Sequence, residues 1–233
     1  MDLVPVIDLK AGQVVHARRG ARDEYRPIET PLSATSAPAD VIAGLLRLFP
    51  FRRLYVADLD AIERRGDHAA LIDELANEHP GLEFWVDNGA QSPEFARRWL
   101  AATPAHLVVG SESQTSPDLL RALGKEQRAV LSLDFRGESF QGPAEILNDT
   151  ELWPDRVIVM SLARVGAEQG PDFARIRAIA PREGRHRIYA AGGVRNEADL
   201  HAVARAGAAG ALVATALHNG TLNAEGLRRS ARL

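Results

Sequence analysis

The feature that most restricts how this chain can fold is that it states one pattern twice. Residues 87–111 run from DNGAQSPEF to LVVGS, and residues 191–215 run from AGGVRNEAD to ALVAT. The offset is a constant 104 residues, setting Gly89 on Gly193, Val109 on Val213 and Ser111 on Thr215. Upstream of each copy an apolar run closes on an aspartate, VIDLKAG around Asp8 and SLDFRG around Asp134. A repeat of this length, with an acid at the same point each time, describes a duplicated half-barrel with a two-carboxylate site.

Short β-rich runs alternate with helical ones and predict eight strands: 3–8, 53–58, 83–87, 106–110, 129–134, 156–161, 187–191 and 211–215. Most are continuously apolar rather than alternating, as parallel strands covered by helices are. Helical patterns lie between them at 38–49, 67–78, 93–102 and 197–207, with Ser36 and Asp67 as expected N-caps of the first two. The expectation is an α/β chain folded as one (β/α)8 TIM barrel over residues 1–233, with half-barrels at about 1–125 and 126–233. Asp8 to Gly89 spans 81 residues and Asp134 to Gly193 only 59, so the first half carries 22 extra. These fall in the segment from Leu9 to Ser36, which holds Lys10, His16, Arg18, Arg19, Tyr25 and Arg26. It reads either as a lid over the catalytic face or as a solvated loop.

Composition narrows the function. A net charge of −3 with dispersed Lys and Arg excludes nucleic acid or an anionic membrane as main partner. No apolar stretch approaches the roughly 20 residues that span a bilayer, and Met1 leads straight into LVPVID without a signal core. With no cysteine there is no disulfide, thiolate catalysis or Cys-based zinc site, which fits a cytoplasmic protein.

In such barrels chemistry sits at the C-terminal ends of the strands. Asp8 and Asp134 end strands one and five, on opposite sides of the ring, where one can donate a proton while the other accepts one. Each alone could simply cap its strand; the symmetric pair reads as catalytic. Asp58 and Asp60 could bind a divalent cation with Asp8, but strand six offers Ser161 at the matching point, so they read as loop-holding groups and no metal is expected. Ser161 is a polar orienting group at the same mouth. Among the seven histidines, only His16 is placed near the pocket. Gly192 and Gly193, followed by Thr215 at strand eight, form the expected phosphate cradle, and Arg195 could add a charge-assisted bond.

These motifs together resemble the paired histidine-biosynthesis barrels, the HisA isomerase and the HisF cyclase. VPVIDLKAGQVV at 4–15, YVADLDAI at 55–62, LSLDFRG at 131–137 and AAGGVRN at 190–196 are similar to the family's first, second, fifth and seventh strand motifs, in order along essentially the whole chain. LDFRG is closest to the isomerase side. The resemblance implies an Amadori rearrangement without a cofactor, with Asp8 and Asp134 as its acid–base pair; Asp8 is taken as general base and Asp134 as general acid, an order the sequence leaves open. Ser161 stands where the family has an assisting threonine. The family substrate carries a phosphate at each end, held by the duplicated turns.

The first of these turns departs from the pattern. DNGAQS replaces a GGGIRS-like sequence, so Asp87 and Asn88 precede Gly89, and Gln91 stands in for an arginine. At the second site, VATA replaces a VGRA-like turn, leaving Ala214 and Thr215. Gly110 and Ser111 are the first-half counterparts of Ala214 and Thr215. A rewritten first turn implies a smaller substrate, a phosphorylated sugar or amino sugar read at its other end by Asp87. It also resembles HisA/HisF-related proteins of methanogens and methylotrophs, which implies a task in one-carbon coenzyme (methanopterin or methanofuran) synthesis. Two alternatives stand beside it: a genuine histidine-pathway ribotide isomerase, and a non-catalytic binding or assembly subunit, with a protein partner or homo-oligomer.

Overall fold

The computed structural model describes residues 1–16, 24–166, 169–180 and 186–233. Among the described residues eleven strands form one sheet: β1 (Asp2–Lys10), β2 (Gln13–His16), β3 (Arg26–Pro27), β4 (Arg53–Asp58), β5 (Glu83–Asp87), β6 (His106–Gly110), β7 (Ala129–Arg136), β8 (Ser139–Gln141), β9 (Arg156–Ser161), β10 (Arg187–Ala191) and β11 (Gly210–Val213). Eight of them, in the order β1-β4-β5-β6-β7-β9-β10-β11, pair in parallel, and β11 closes on β1 through Asp2↔Gly210 to Pro5↔Val213. This is a closed (β/α)8 barrel. The α-helices between and after the strands are α1 (Pro38–Leu48), α2 (Leu59–Ile62), α3 (Ala69–Glu78), α4 (Pro93–Ala102), α5 (Asp118–Leu123), α6 (Ala144–Asn148), α7 (Phe173–Ile179), α8 (Glu197–Arg205), α9 (Thr215–His218) and α10 (Ala224–Ser230).

Strand side chains alternate between two environments, as a period of two demands. The inward-facing side chains include one layer drawn from all eight barrel strands, Val4, Tyr55, Trp85, Val108, Val130, Ile158, Tyr189 and Leu212, which belong to a single buried cluster. Their neighbours, such as Val56, Val86, Leu107 and Leu131, pack outward under the helices. Trp85 and Tyr189 are repeat mates at the same 104-residue offset, and their rings meet edge to face at 4.9 Å and 85° across the interior. That geometry adds about 0.5–1.5 kcal/mol to the burial of two large rings. Below them Asp2 accepts from the Tyr189 hydroxyl at 2.8 Å and pairs with Arg53 at 2.9 Å, and Arg53 also pairs with Glu83 at 3.1 Å. These groups plug the face of the barrel away from the strand C-termini.

The repeat also governs helix entry. Ser92 and Asn196, again 104 apart, are the N-caps of α4 and α8, accepting from the Phe95 and Asp199 N–H groups at 3.2 and 3.0 Å. The expected caps at Ser36 and Asp67 are each displaced. α1 is flanked by Ala37 without a side-chain cap, and its first turn begins with Pro38, which has no N–H to satisfy. α3 is flanked by His68, while Asp67 reaches the Ala69 N–H at 3.1 Å. Thr215, expected in strand eight, opens α9 instead. Among the described residues no helix is long and apolar enough to cross a membrane.

Candidate active site

Neither aspartate is the last residue of its strand. β1 continues to Lys10 and turns back through Ala11 and Gly12 into β2, with Asp8 opposite Val15. Both turn residues have positive φ, 50° and 75°, the backbone a two-residue hairpin of the primed type requires. β7 does the same through Gly137 (φ 59°) and Glu138 into β8, with Asp134 opposite Gln141. Each acid therefore stands at the root of a hairpin that stiffens the strand end. In the ring, β1 and β7 are four strands apart in either direction, so the acids lie on one diameter. β5 and β10 are likewise opposite, which puts Asp87 and the Gly192 turn on the crossing diameter.

A cavity of about 460 Å³ occupies this mouth. Of the expected site residues, Asp8, Asp87, Asp134, Gly192, Gly193, Arg195 and Thr215 line it, whereas Asn88, Gly110, Ser111 and Ser161 do not. Asp134 is only 4 % exposed. Its Oδ1 accepts from the Ser132 hydroxyl at 2.6 Å, and its Oδ2 accepts from the Glu112 N–H at 3.0 Å and the Ser111 hydroxyl at 3.3 Å. Burial is the largest influence on this carboxyl and pushes it up to about 7; the Ser132 and Glu112 N–H bonds hold it down, while Asp87 and Glu112 push it up. It is thus poised to hold or release a proton near neutrality.

Ser111 is spent on this support, since its hydroxyl also accepts the Asp134 N–H at 2.9 Å. It is fully buried and does not reach the cavity as a counterpart of Thr215. Gly110 makes room: a Cβ there would lie 3.2 Å from Asp87 Oδ2 and 3.4 Å from Asp134 Oδ2. Ser161 ends β9 with its carbonyl 2.6 Å from where a Gly192 Cβ would stand, so it fixes the turn. Gly193 has φ +88° and would place a Cβ 2.4 Å from the Gly170 carbonyl oxygen. Both glycines are required by positive φ and close backbone approach. Arg195 borders the cavity but is forked onto Asp199, with Nε at 2.9 Å from Oδ2 and Nη2 at 3.0 Å from Oδ1. Asn88 is buried beside Asp87, with no hydrogen-bond partner for Oδ1 among the described residues.

Asp58 and Asp60 hold loops. Asp58 accepts from the Ala61 N–H at 3.2 Å, the His68 N–H at 2.8 Å and His68 Nδ1 at 2.8 Å. His68 Nε2 then accepts from the Gly12 N–H at 2.9 Å, and Asp60 accepts from the Ala11 N–H at 2.8 Å. The tautomer follows from these contacts, with the proton on Nδ1. The network ties the β1–β2 hairpin to α2.

Described parts of the long first segment border the cavity: β2 and β3 extend the sheet, and Val14, Val15, His16, Tyr25 and Ile28 contribute to the lining. Lys10 and Arg26 do not line it, and Arg18 and Arg19 lie outside the described residues. Sequence reasoning passed over Tyr55, Glu112 and His218. Tyr55 donates to Asp87 Oδ2 at 3.3 Å and its phenol is held protonated, well above its ordinary range, by burial first and then by Asp87, Asp134 and Asp8. The signal for it was parity, since it shares the inward phase of β4 with Ala57. His218 is buried against Thr30 Oγ1 at 3.1 Å and lowered to about 4 by desolvation, with His16 acting in the same sense. Its place in a four-residue helix left no periodic signal.

The family model described as "Histidine biosynthesis protein" matches residues 2–223. An uncharacterized protein of Methanocaldococcus jannaschii is 30 % identical over 233 residues, 97 % of this chain and 96 % of that one. The 1-(5-phosphoribosyl)-5-((5-phosphoribosylamino)methylideneamino) imidazole-4-carboxamide isomerase of Myxococcus xanthus is 30 % identical over 244 residues, 98 % of each chain. Phosphoribosyl isomerase A of Streptomyces coelicolor is 25 % identical over 237 residues, 94 % of this chain and 93 % of that protein. With a full-length barrel, two opposed carboxylates at its mouth and these matches, the chain belongs to the histidine biosynthesis protein family.

Proposed function

We propose that this protein is an aldose–ketose isomerase of the Amadori type, acting on a phosphorylated amino sugar. The observation that carries the reading is Asp134, buried at the cavity wall with its carboxyl pushed up to about 7, on the diameter opposite Asp8. Asp134 gives its proton to the ring oxygen of the aminoaldose as the C1–O bond breaks, leaving an open-chain iminium. Asp8 takes the C2 proton, and the resulting enolamine gains a proton at C1 and loses one from the C2 hydroxyl to become the aminoketose. No electron acceptor is needed. Gly192, Gly193 and Thr215 seat the phosphate through backbone N–H groups at a turn where α9 begins without a side-chain cap. Arg195 acts at the rim through Asp199 rather than as an unengaged cation.

Relatives that share nearly the full length are named for the phosphoribosyl imidazole-carboxamide isomerisation, so the histidine-pathway ribotide is the first substrate to test. The comparisons lend no support to a one-carbon coenzyme task. A non-catalytic subunit would have no use for a carboxyl carried near neutrality in an open cavity. The test is turnover of the ribotide by purified protein, with growth rescue of a strain lacking the histidine isomerase. Asp8→Asn and Asp134→Asn should each lower turnover by about 100-fold or more. Wild-type rates in both variants would remove the acid–base assignment. Turnover of a smaller aminoaldose phosphate but not of the ribotide would keep the chemistry and change the substrate.

A further inference from the structure

The cavity wall holds a buried imidazole that the acid–base chemistry leaves unused. His218 closes α9, three residues after Thr215, and an i, i+3 spacing puts both on one face of that helix. Both line the cavity, as do Gly192 and Gly193 after the neighbouring strand β10. His218 is only 7 % exposed, yet its ring makes one hydrogen bond among the described residues, between Nδ1 and Thr30 Oγ1 at 3.1 Å. Thr30 Oγ1 also accepts the Leu32 N–H at 3.2 Å, and its own proton has no other acceptor among the described residues. The Thr30 hydroxyl therefore donates to Nδ1, which leaves the ring proton on Nε2. Desolvation first, then His16, lowers the imidazolium to about 4, so the ring is neutral at neutral pH. Its Nε2–H is a donor in a cavity wall with no acceptor from the described residues. Buried donors are normally satisfied, and here a ligand can supply the acceptor. Arg195, on the same lining, is already forked onto Asp199.

We propose that His218 is a phosphate-binding residue, whose neutral ring donates Nε2–H to a phosphoryl oxygen of the substrate while Thr30 fixes the tautomer that allows it. The inference rests on the reading that a phosphate is seated at Gly192, Gly193 and Thr215. It makes no demand on the far end of the substrate, so the ribotide and a smaller aminoaldose phosphate both satisfy it. A neutral donor adds a charge-assisted bond to the anion without leaving a cation buried when the seat is empty.

Nitrogen-15 NMR of the histidine rings in the full chain reads the tautomer directly, with the resonances assigned by their absence in His218→Gln. At neutral pH the proton should lie on Nε2, and saturating ribose 5-phosphate should shift that nitrogen. A proton on Nδ1, an imidazolium, or an Nε2 unmoved by bound sugar phosphate would overturn the proposal. Titration calorimetry with the same ligand gives the affinity. His218→Phe keeps a ring without a donor and should weaken binding by at least about tenfold. His218→Gln offers an amide N–H near the Nε2 position and should recover most of that loss, which separates the donor from the packing. Equal weakness in the two variants would overturn the donor role. Thr215→Asp puts a carboxylate in the seat and should abolish binding. If it does so while His218→Phe binds like wild type, the role of His218 falls and the seat stands. If Thr215→Asp binds like wild type, or no protein binds the sugar phosphate, the seat falls and the assignment of His218 falls with it.

Discussion

Asp134→Asn separates a buried, proton-carrying carboxyl from an ordinary one through stability alone. The native carboxyl is raised from 3.8 to about 7, so its ionised form is disfavoured in the fold relative to the unfolded chain. At about 1.4 kcal/mol per pKa unit, ionising it at high pH costs on the order of 4 kcal/mol. The sign follows from the raised native value. The contribution of Asp134 to stability is fully present below about 3.8 and is lost as pH rises through about 7. Asparagine is uncharged and can keep the network. Its Nδ2, placed at Oδ1, donates to Ser132 with the hydroxyl turned to accept, and its oxygen takes the Glu112 N–H and the Ser111 hydroxyl. The variant should therefore melt roughly 10 °C above wild type at pH 8.5, with the gap closing toward pH 4. Thermal unfolding followed by circular dichroism across that range measures it. A variant no more stable than wild type at pH 8.5, or an offset independent of pH, would refute the reasoning. Higher stability bought with lost turnover is the trade expected where a strained group is kept for chemistry.

Three further outcomes follow from the same geometry. Gly193→Ala meets the Gly170 carbonyl at 2.4 Å with φ +88°, and should cost at least about 2 kcal/mol in chemical denaturation and weaken inorganic phosphate binding. Asp58→Ala removes the acceptor of three bonds at a buried position and should destabilise by about 3 kcal/mol, while millimolar magnesium or zinc leaves the wild-type melting temperature unchanged. A cation-dependent rise in that temperature would instead restore the metal reading. If Asp134 is the acid, kcat/KM should fall as pH rises above about 7, because the protonated form is being depleted.

The sequence carried the barrel well because its signals are long-range and repeated. Continuous apolar runs placed all eight barrel strands within a few residues, and the 104-residue offset extends unprompted to the Trp85–Tyr189 contact and the Ser92 and Asn196 caps. What it missed is local or three-dimensional. Asp8 and Asp134 look like strand ends in the sequence because the two-residue hairpins beyond them, AG and GE, are short signals next to a strong apolar run. Thr215 reads as strand because it follows directly on the apolar run ALVA, yet the chain must turn into α9 for Ala214 and Thr215 to border the cavity. Ser111 matched Thr215 in the repeat but serves Asp134, and nothing in one dimension shows that its hydroxyl is within reach of a residue 23 positions away. The pairing of Arg195 with Asp199 was legible in principle, as an i, i+4 pair at the entry of α8.

The central claim is that Asp134 carries the proton that opens the substrate ring. Its most direct test is a carbon-13 NMR titration of the aspartate side-chain carboxyls, with the resonance assigned by its absence in Asp134→Asn. A midpoint near 7 is expected. A midpoint near 3.8, the ordinary value, would contradict it.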